Sequence, residues 1–211
     1  MYRNLRTEGV VLSQKNFAEA DRLLTIYTRD FGKLHALAKG VRRPKSKKAG
    51  HTQLGNWCKM LIVRGKSLDL ITEIETKRAF GFENLSVQKA VEIYHFLELV
   101  NLLTAQNQKN IQIFSLLVNF LKKLDGGYDY KLLSAVFKIK LISNLGFFSA
   151  ENLKDSNLKV FLKFCEEKDF DSITTKIDLS EKNHLKLSLF LDSMIENAAE
   201  RKLKTSRFLN G

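Results

Sequence analysis

The spacing of apolar positions changes period once along this chain. Up to about residue 80, apolar and polar residues alternate in short runs bounded by turn formers, the two-residue period of half-buried strands. Residues 7–13 (TEGVVLS), 22–28 (RLLTIYT), 33–39 (KLHALAK), 57–64 (WCKMLIVR) and 68–76 (LDLITEIET) are the five runs. Asp30-Phe31-Gly32 and Gly65-Lys66-Ser67 supply turns between them. In the third run Leu34, Ala36 and Ala38 share one face, and Lys33, His35, Leu37 and Lys39 the other. In the fifth, Leu68, Leu70, Thr72 and Ile74 are expected inward. Five short strands with one long connection between the third and fourth match an OB-fold barrel, a layout that an SH3-like barrel would resemble.

Beyond Gly81 the apolar residues recur at three and four, the helical period. A helix to about Thr104, capped by Ser86 or Asn84, carries Val87, Val91, Tyr94 and Leu97. Residues 111–124 are apolar nearly all round, predicting the central helix of a bundle, which Gly126-Gly127 ends. Residues 130–145 repeat the pattern through Leu133, Val136, Phe137 and Leu141, and Gly146 stands at a C-terminal cap. A mixed segment follows, with a short helix at 158–165 and then FDSITTKID as a strand or extended loop. Ser180-Glu181 opens a last helix striped by Leu187, Leu191, Met194, Ile195 and Ala198, before a basic tail. The fold class is therefore α+β: an N-terminal OB-fold β-barrel (1–80) followed by an α-helical C-terminal domain (81–211).

Charge divides along the same line. Of a net charge of +12, residues 1–80 hold 17 Lys and Arg against 7 Asp and Glu, and the remainder 18 against 16. The densest stretch is Lys39, Gly40, Val41, Arg42, Arg43, Pro44, Lys45, Ser46, Lys47, Lys48: six cations, no acid and the chain's one proline. Such a loop repels itself unless a polyanion neutralises it. Six phosphate contacts would give a log K against log salt slope of roughly −5 on a duplex and about −4 on a single strand. Tyr27, Phe31 and Trp57, with Phe17 behind them, are the aromatic options for stacking a base. Tyr27 and Trp57 read more readily as core, and Phe31 as exposed in its turn.

Catalysis finds no constellation. His35, His51, His95 and His184 have no partner at metal-ligand spacing, and GxSxG, HExxH, Walker and glycine-rich phosphate patterns are absent from the sequence. Cys58 and Cys165 allow neither a disulfide framework nor a four-cysteine zinc site, which favours a reducing cytosol. No apolar stretch approaches ~20 residues, so neither a membrane span nor secretion is expected. Twelve of the 15 phenylalanines follow Phe80, and a groove between helices rimmed by Lys122, Lys123, Lys138 and Lys140 would suit an acidic peptide.

EGVVL (residues 8–12), EADRLLTIYTRDFGKL (19–34), ALAKGVRRPKS (36–46) and RGKSLDLITE (64–73) closely resemble the N-terminal domain of the RecO family of bacterial DNA repair proteins. FKIKLISNLGF (137–147) and RKLKTSRFL (201–209) resemble its later segments. The resemblance implies a non-enzymatic, cytoplasmic and nucleoid-associated recombination mediator without a cofactor. It implies binding to single- and double-stranded DNA, annealing of complementary strands and, with RecR, loading of RecA onto DNA covered by single-stranded DNA-binding protein, whose C-terminal tail is contacted. Carried over residue by residue, DNA binding falls to Arg22, Arg29, Lys33, Lys39, Arg42, Arg43, Lys45, Lys47 and Lys48, and contact with the acidic tail is assigned to Lys138 and Lys140. Many relatives hold zinc with four cysteines after the Leu-Gly-Phe motif. Here residues 148–178 offer Cys165 alone, so a short irregular segment held by Leu158, Phe161, Phe164 and Phe170 is expected in its place, without metal. An RNA- or ribosome-binding OB-fold with no annealing role shares the charge signature; a protein adaptor would not need the cations.

Overall fold

A computed structural model of the chain describes residues 4–80, 87–126, 130–148, 156–174 and 181–200. The chain falls into two compact units, one running to Val118 and the other beginning at Asn119.

The first unit contains β1 (Asn4–Phe17), β2 (Asp21–Thr28), β3 (Gly32–Ala38), a short 3-10 helix (Gly50–Thr52), β4 (Trp57–Val63) and β5 (Asp69–Arg78). The strands close into a barrel in the order β1-β2-β3-β5-β4, with β4 returning to β1 and the β3–β5 pairing parallel. This is the OB-fold expected from the runs of alternation. The barrel is filled by Leu5, Leu24, Ile26, Leu34, Ala36, Ala38, Val41, Cys58, Met60, Ile62, Ile71 and Ile74. Each of the larger aliphatics contributes about 1.5–3 kcal/mol by leaving water.

Two irregularities shape the ladder. β1 is much longer than residues 7–13, and a bulge between Val11 and Ser13 bends it. Its first half pairs with β4 while residues 14–17 run on as a hairpin with residues 21–24 of β2. In β5 the expected inward set is corrected: Leu68 is exposed, Thr72 is exposed, and Ile71 and Ile74 are the core residues. Met60 faces Ile74 and Ile62 faces Ile71, leaving Thr72 as an extra residue at a register shift. An inserted residue moves everything on one side of it to the other face, which strict alternation does not anticipate.

α1 (Val87–Leu103) packs on β1 and β2, so the first unit extends past the change of period near residue 80. Its buried stripe is Ile93, Phe96, Leu97, Val100 and Leu103, with Leu99 also buried, whereas Tyr94 is exposed. The helix is thus rotated from the face chosen by sequence. His95 is fully buried, edge-on to Phe96 at 5.4 Å. The caps expected at Asn84 or Ser86 lie outside the described residues.

α2 (Ile111–Asp125) opens with Asn110 as cap, its Oδ1 accepting the Ile113 amide at 3.1 Å. The division between units falls inside it. In the second unit, α3 (Tyr130–Asn144) is buried continuously from Leu132 to Ile139 and packs against α4 (Ser156–Glu167), α5 (Phe170–Thr174) and α6 (Glu181–Ala199). α3 is therefore the central helix, not α2, whose Gln112, Ser115 and Asn119 are exposed. α3 ends as expected at Gly146, φ +77°, with Gly146 N donating to Ser143 O and Phe147 N to Ile142 O at 2.9 and 3.0 Å. That pair of bonds is a Schellman cap.

The segment expected to be irregular contains α4 and α5, and the first part of FDSITTKID is helical rather than extended. Asp169 caps that turn by accepting the Ser172 amide at 2.8 Å. Phe170 is buried and Phe161 and Phe164 are half-buried; the side chain of Leu158 lies outside the described residues, as does the basic tail from Arg201. α6 buries Leu187, Leu191 and Ile195, with Met194 and Ala198 half-buried.

Candidate nucleic-acid interface

The basic loop leaves β3 at Lys39. Self-repulsion and Pro44 oppose a helix or strand here, and the chain instead forms consecutive turns. Arg43 N bonds Gly40 O (3.2 Å), Ser46 N bonds Arg43 O (2.9 Å) and Ala49 N bonds Ser46 O (3.3 Å), leading into the 3-10 helix. Its base is anchored. Val41 is buried in the barrel core, Asp21 Oδ1 accepts Gly40 N at 2.7 Å, and Arg42 N donates to Ala20 O at 2.9 Å. Gly40, at φ +65°, makes the reversal that permits this.

With its backbone held inward, the loop turns its charges out. Lys39, Arg42, Arg43, Lys45 and Lys47 are exposed and Lys48 is half-exposed. Among the described residues, none of these six has a carboxylate within the 4.0 Å of an ion pair. Glu19 and Asp21 are the acids of the adjoining β1–β2 turn, and Asp21 is engaged by the Gly40 amide. The Arg42 guanidinium reaches that turn as well, donating to Glu19 O at 3.2 Å.

Of the other sequence-derived cations, Arg22 joins this group. It stands opposite Ala38 at the loop's root, and its Nη1 is 3.5 Å from Thr52 Oγ1. Arg29 and Lys33 do not join it. They lie toward the far end of the β2–β3 hairpin, about 23 Å from the loop's root for Arg29 and about 17 Å for Lys33 at strand rise. Arg29 is exposed but borders a cavity of about 510 Å3 shared with Glu8, Asp30, Glu73 and Glu75 as well as Arg6 and Lys59.

Lys33 is corrected: it is 9% exposed, its amine donates to Asn101 O at 2.5 Å, and burial lowers its pKa. The 104–110 connection pairs with the backbone of β3 here, Asn107 N bonding Lys33 O at 3.0 Å. His35, half-buried beside it, shares a 3.0 Å hydrogen bond with Thr25 Oγ1.

Lys138 is corrected in the same way. It is 1% exposed and bound to Asp192 at 2.6 Å, so it rims no groove. Lys140 is half-buried with its amine on Glu166 O at 3.1 Å, and desolvation lowers its pKa against the opposing pull of Cys165, Asp169 and Glu166.

The aromatics sort differently from the sequence reading. Tyr27 is core, as read, its hydroxyl donating to Asn110 O at 3.3 Å and its pKa pushed up to about 12 by burial. Phe31 packs against the barrel core and is not an exposed platform. Trp57 is half-buried: its Nε1 donates to Glu8 Oε2 at 3.2 Å, and Lys77 Nζ lies 4.0 Å from the ring centroid. Phe17 is the exposed one, at 42%. Lys15, also exposed on the β1–β2 hairpin, was missed. Its signal was the polar run Gln14-Lys15-Asn16, which continues a strand only because β2 pairs with it. Among the described residues no three His, Cys, Asp or Glu side chains gather to hold a metal ion, and no helix is long and apolar enough to cross a membrane.

Comparison with known proteins bears on this surface. The family model described as Recombination protein O N terminal matches residues 1–80, and Recombination protein O C terminal matches residues 93–150. The chain is 32% identical over 142 residues to the DNA repair protein RecO of Pelotomaculum thermopropionicum, covering 67% of this chain and 55% of that one. It is 33% identical over 144 residues to RecO of Caldicellulosiruptor bescii (68% and 59%) and 31% over 144 to that of Acetivibrio thermocellus (68% and 57%). The matched stretch thus spans little more than half the length of these curated relatives.

Proposed function

Because this chain belongs to the RecO family, we propose that it serves DNA repair and recombination by binding single- and double-stranded DNA at the basic end of its barrel and annealing complementary strands. The single observation that carries this reading is the anchored loop whose six cations point outward without ion-pair partners among the described residues. A loop whose backbone is already held by its own hydrogen bonds loses less entropy on binding than a free one.

Two DNA strands repel through their phosphates. A cationic surface that holds both lowers this repulsion and raises their local concentration, and contacts confined to the backbone leave base edges free to pair. No bond is made or broken, so the protein acts as a binding protein rather than an enzyme. In this reading it works in the cytoplasm at the nucleoid, together with RecR and the C-terminal tail of single-stranded DNA-binding protein, and promotes RecA loading. Lys138 and Lys140 are not assigned to the tail, since both amines are engaged inside the helical unit.

The test is a salt-titrated binding and annealing assay with Arg43, Lys45 and Lys47 replaced by Ser, leaving Arg42 in place because it pins the adjoining turn. The duplex salt slope should fall by about 3 and annealing should slow. Unchanged annealing would overturn the assignment, and preference for a matched RNA over DNA would favour an RNA-binding role instead.

A further inference from the structure

Phe17 closes the β1–β2 hairpin, directly opposite Asp21, whose carboxylate receives the Gly40 amide at 2.7 Å. The next residue, Ala18, holds φ +48°, a left-handed conformation that non-glycine residues seldom adopt and that surrounding contacts must maintain. Arg42 supplies such a contact: its guanidinium donates to Glu19 O at 3.2 Å and reaches Ala18 O at 3.5 Å. The basic loop therefore holds the turn that displays this ring. Phe17 is the one exposed aromatic among the described barrel residues, and Lys15 stands exposed two positions before it. A lone exposed apolar side chain on a surface needs no explanation. An exposed ring tied to an unpaired cationic loop is the combination found where unpaired bases stack while cations follow the backbone.

We propose that Phe17 is a base-stacking platform that gives the basic end of the barrel a preference for single strands, discriminating unpaired bases from duplex. This rests on the nucleic-acid reading of the loop and adds a residue that ranks single strands above duplex. Bases in a duplex already stack on one another, so the ring gains nothing from double-stranded DNA. An unpaired base covers the ring and removes it from water while its flanking phosphates meet Arg42 and Lys15.

The test measures binding of the full chain and of Phe17→Leu and Phe17→Tyr variants to three probes of equal length: a thymine oligonucleotide, a blunt duplex and an abasic oligonucleotide. Phe17→Leu should weaken the thymine oligonucleotide roughly 5- to 150-fold and leave the other two and the salt slope unchanged, while Phe17→Tyr restores binding. Equal binding of all three probes to Phe17→Leu and the parent chain overturns the proposal. An equal loss on all three also overturns it, because the ring would then act only by supporting the loop. The Arg43, Lys45 and Lys47 substitutions report separately: if they leave DNA binding intact, the loop reading itself fails.

Discussion

Lys138 Nζ lies 2.6 Å from Asp192 Oδ1, with side chains only 2% and 14% exposed, and this pair ties α3 to α6. Ser188 Oγ, at 3.3 Å, is a second acceptor for the amine. Removing one partner of a buried pair leaves the other charge out of water without compensation. Asp192→Ala should destabilise the protein by about 3–5 kcal/mol, whereas Lys138→Met combined with Asp192→Leu should come close to neutral. Urea unfolding of both variants checks this; equal losses would show that the ammonium is not the stranded charge.

Gly32 turns β2 into β3 at φ +68°, and a Cβ placed there would lie 1.9 Å from Gln108 O in the connection between α1 and α2. The clash is with backbone, so no rotamer change relieves it. Gly32→Ala should cost more than about 1 kcal/mol and loosen the 104–110 connection where it pairs with Lys33. Amide exchange of Asn107, which bonds Lys33 O, is the sensitive readout. Unaltered protection would mean that the connection yields freely.

His35 has its pKa held below the ordinary 6.5, first by burial and then by the nearby Lys33 charge. Between the folded value and 6.5 the unfolded chain binds more protons at this ring than the folded one. Stability is therefore complete above pH 6.5 and is lost as pH falls through the folded pKa. His35→Gln should lose less stability than the parent between pH 7 and pH 5, measured by urea midpoints. An identical acid loss would assign that loss to other groups.

Burial raises the Cys58 thiol to about 11 and the Cys165 thiol to about 12, so neither should react with an alkylating reagent until its surroundings open. Cys58 is enclosed by a hydrogen-bonded ladder, whereas Cys165 sits in a 12-residue helix followed by one of five residues, short pieces that depend on packing alone. Cys165 should be labelled first under native conditions, as mass spectrometry of the alkylated peptides would show. Earlier labelling of Cys58 would make the barrel the less stable unit.

The five strands, the helical half and the basic loop were legible because each has a local cause: alternation in residues 22–28, the three-and-four recurrence in residues 130–145, six cations without an acid. β1 beyond Ser13 was not legible, since Gln14, Lys15 and Asn16 become strand only through pairing with β2. The β5 register was hidden for a related reason, a bulge being a property of two strands together.

The chain alone determined where backbone can be extended or helical and where charge is concentrated, because both follow from neighbouring residues. Tertiary structure decided which charges meet solvent. Lys33 and Lys47 are the same residue type in the same basic half, yet one amine is buried against Asn101 O of α1 and the other is exposed on an anchored turn. Desolvation depends on what packs over a side chain from distant parts of the chain, and that is settled only when the barrel closes and α1 docks against it.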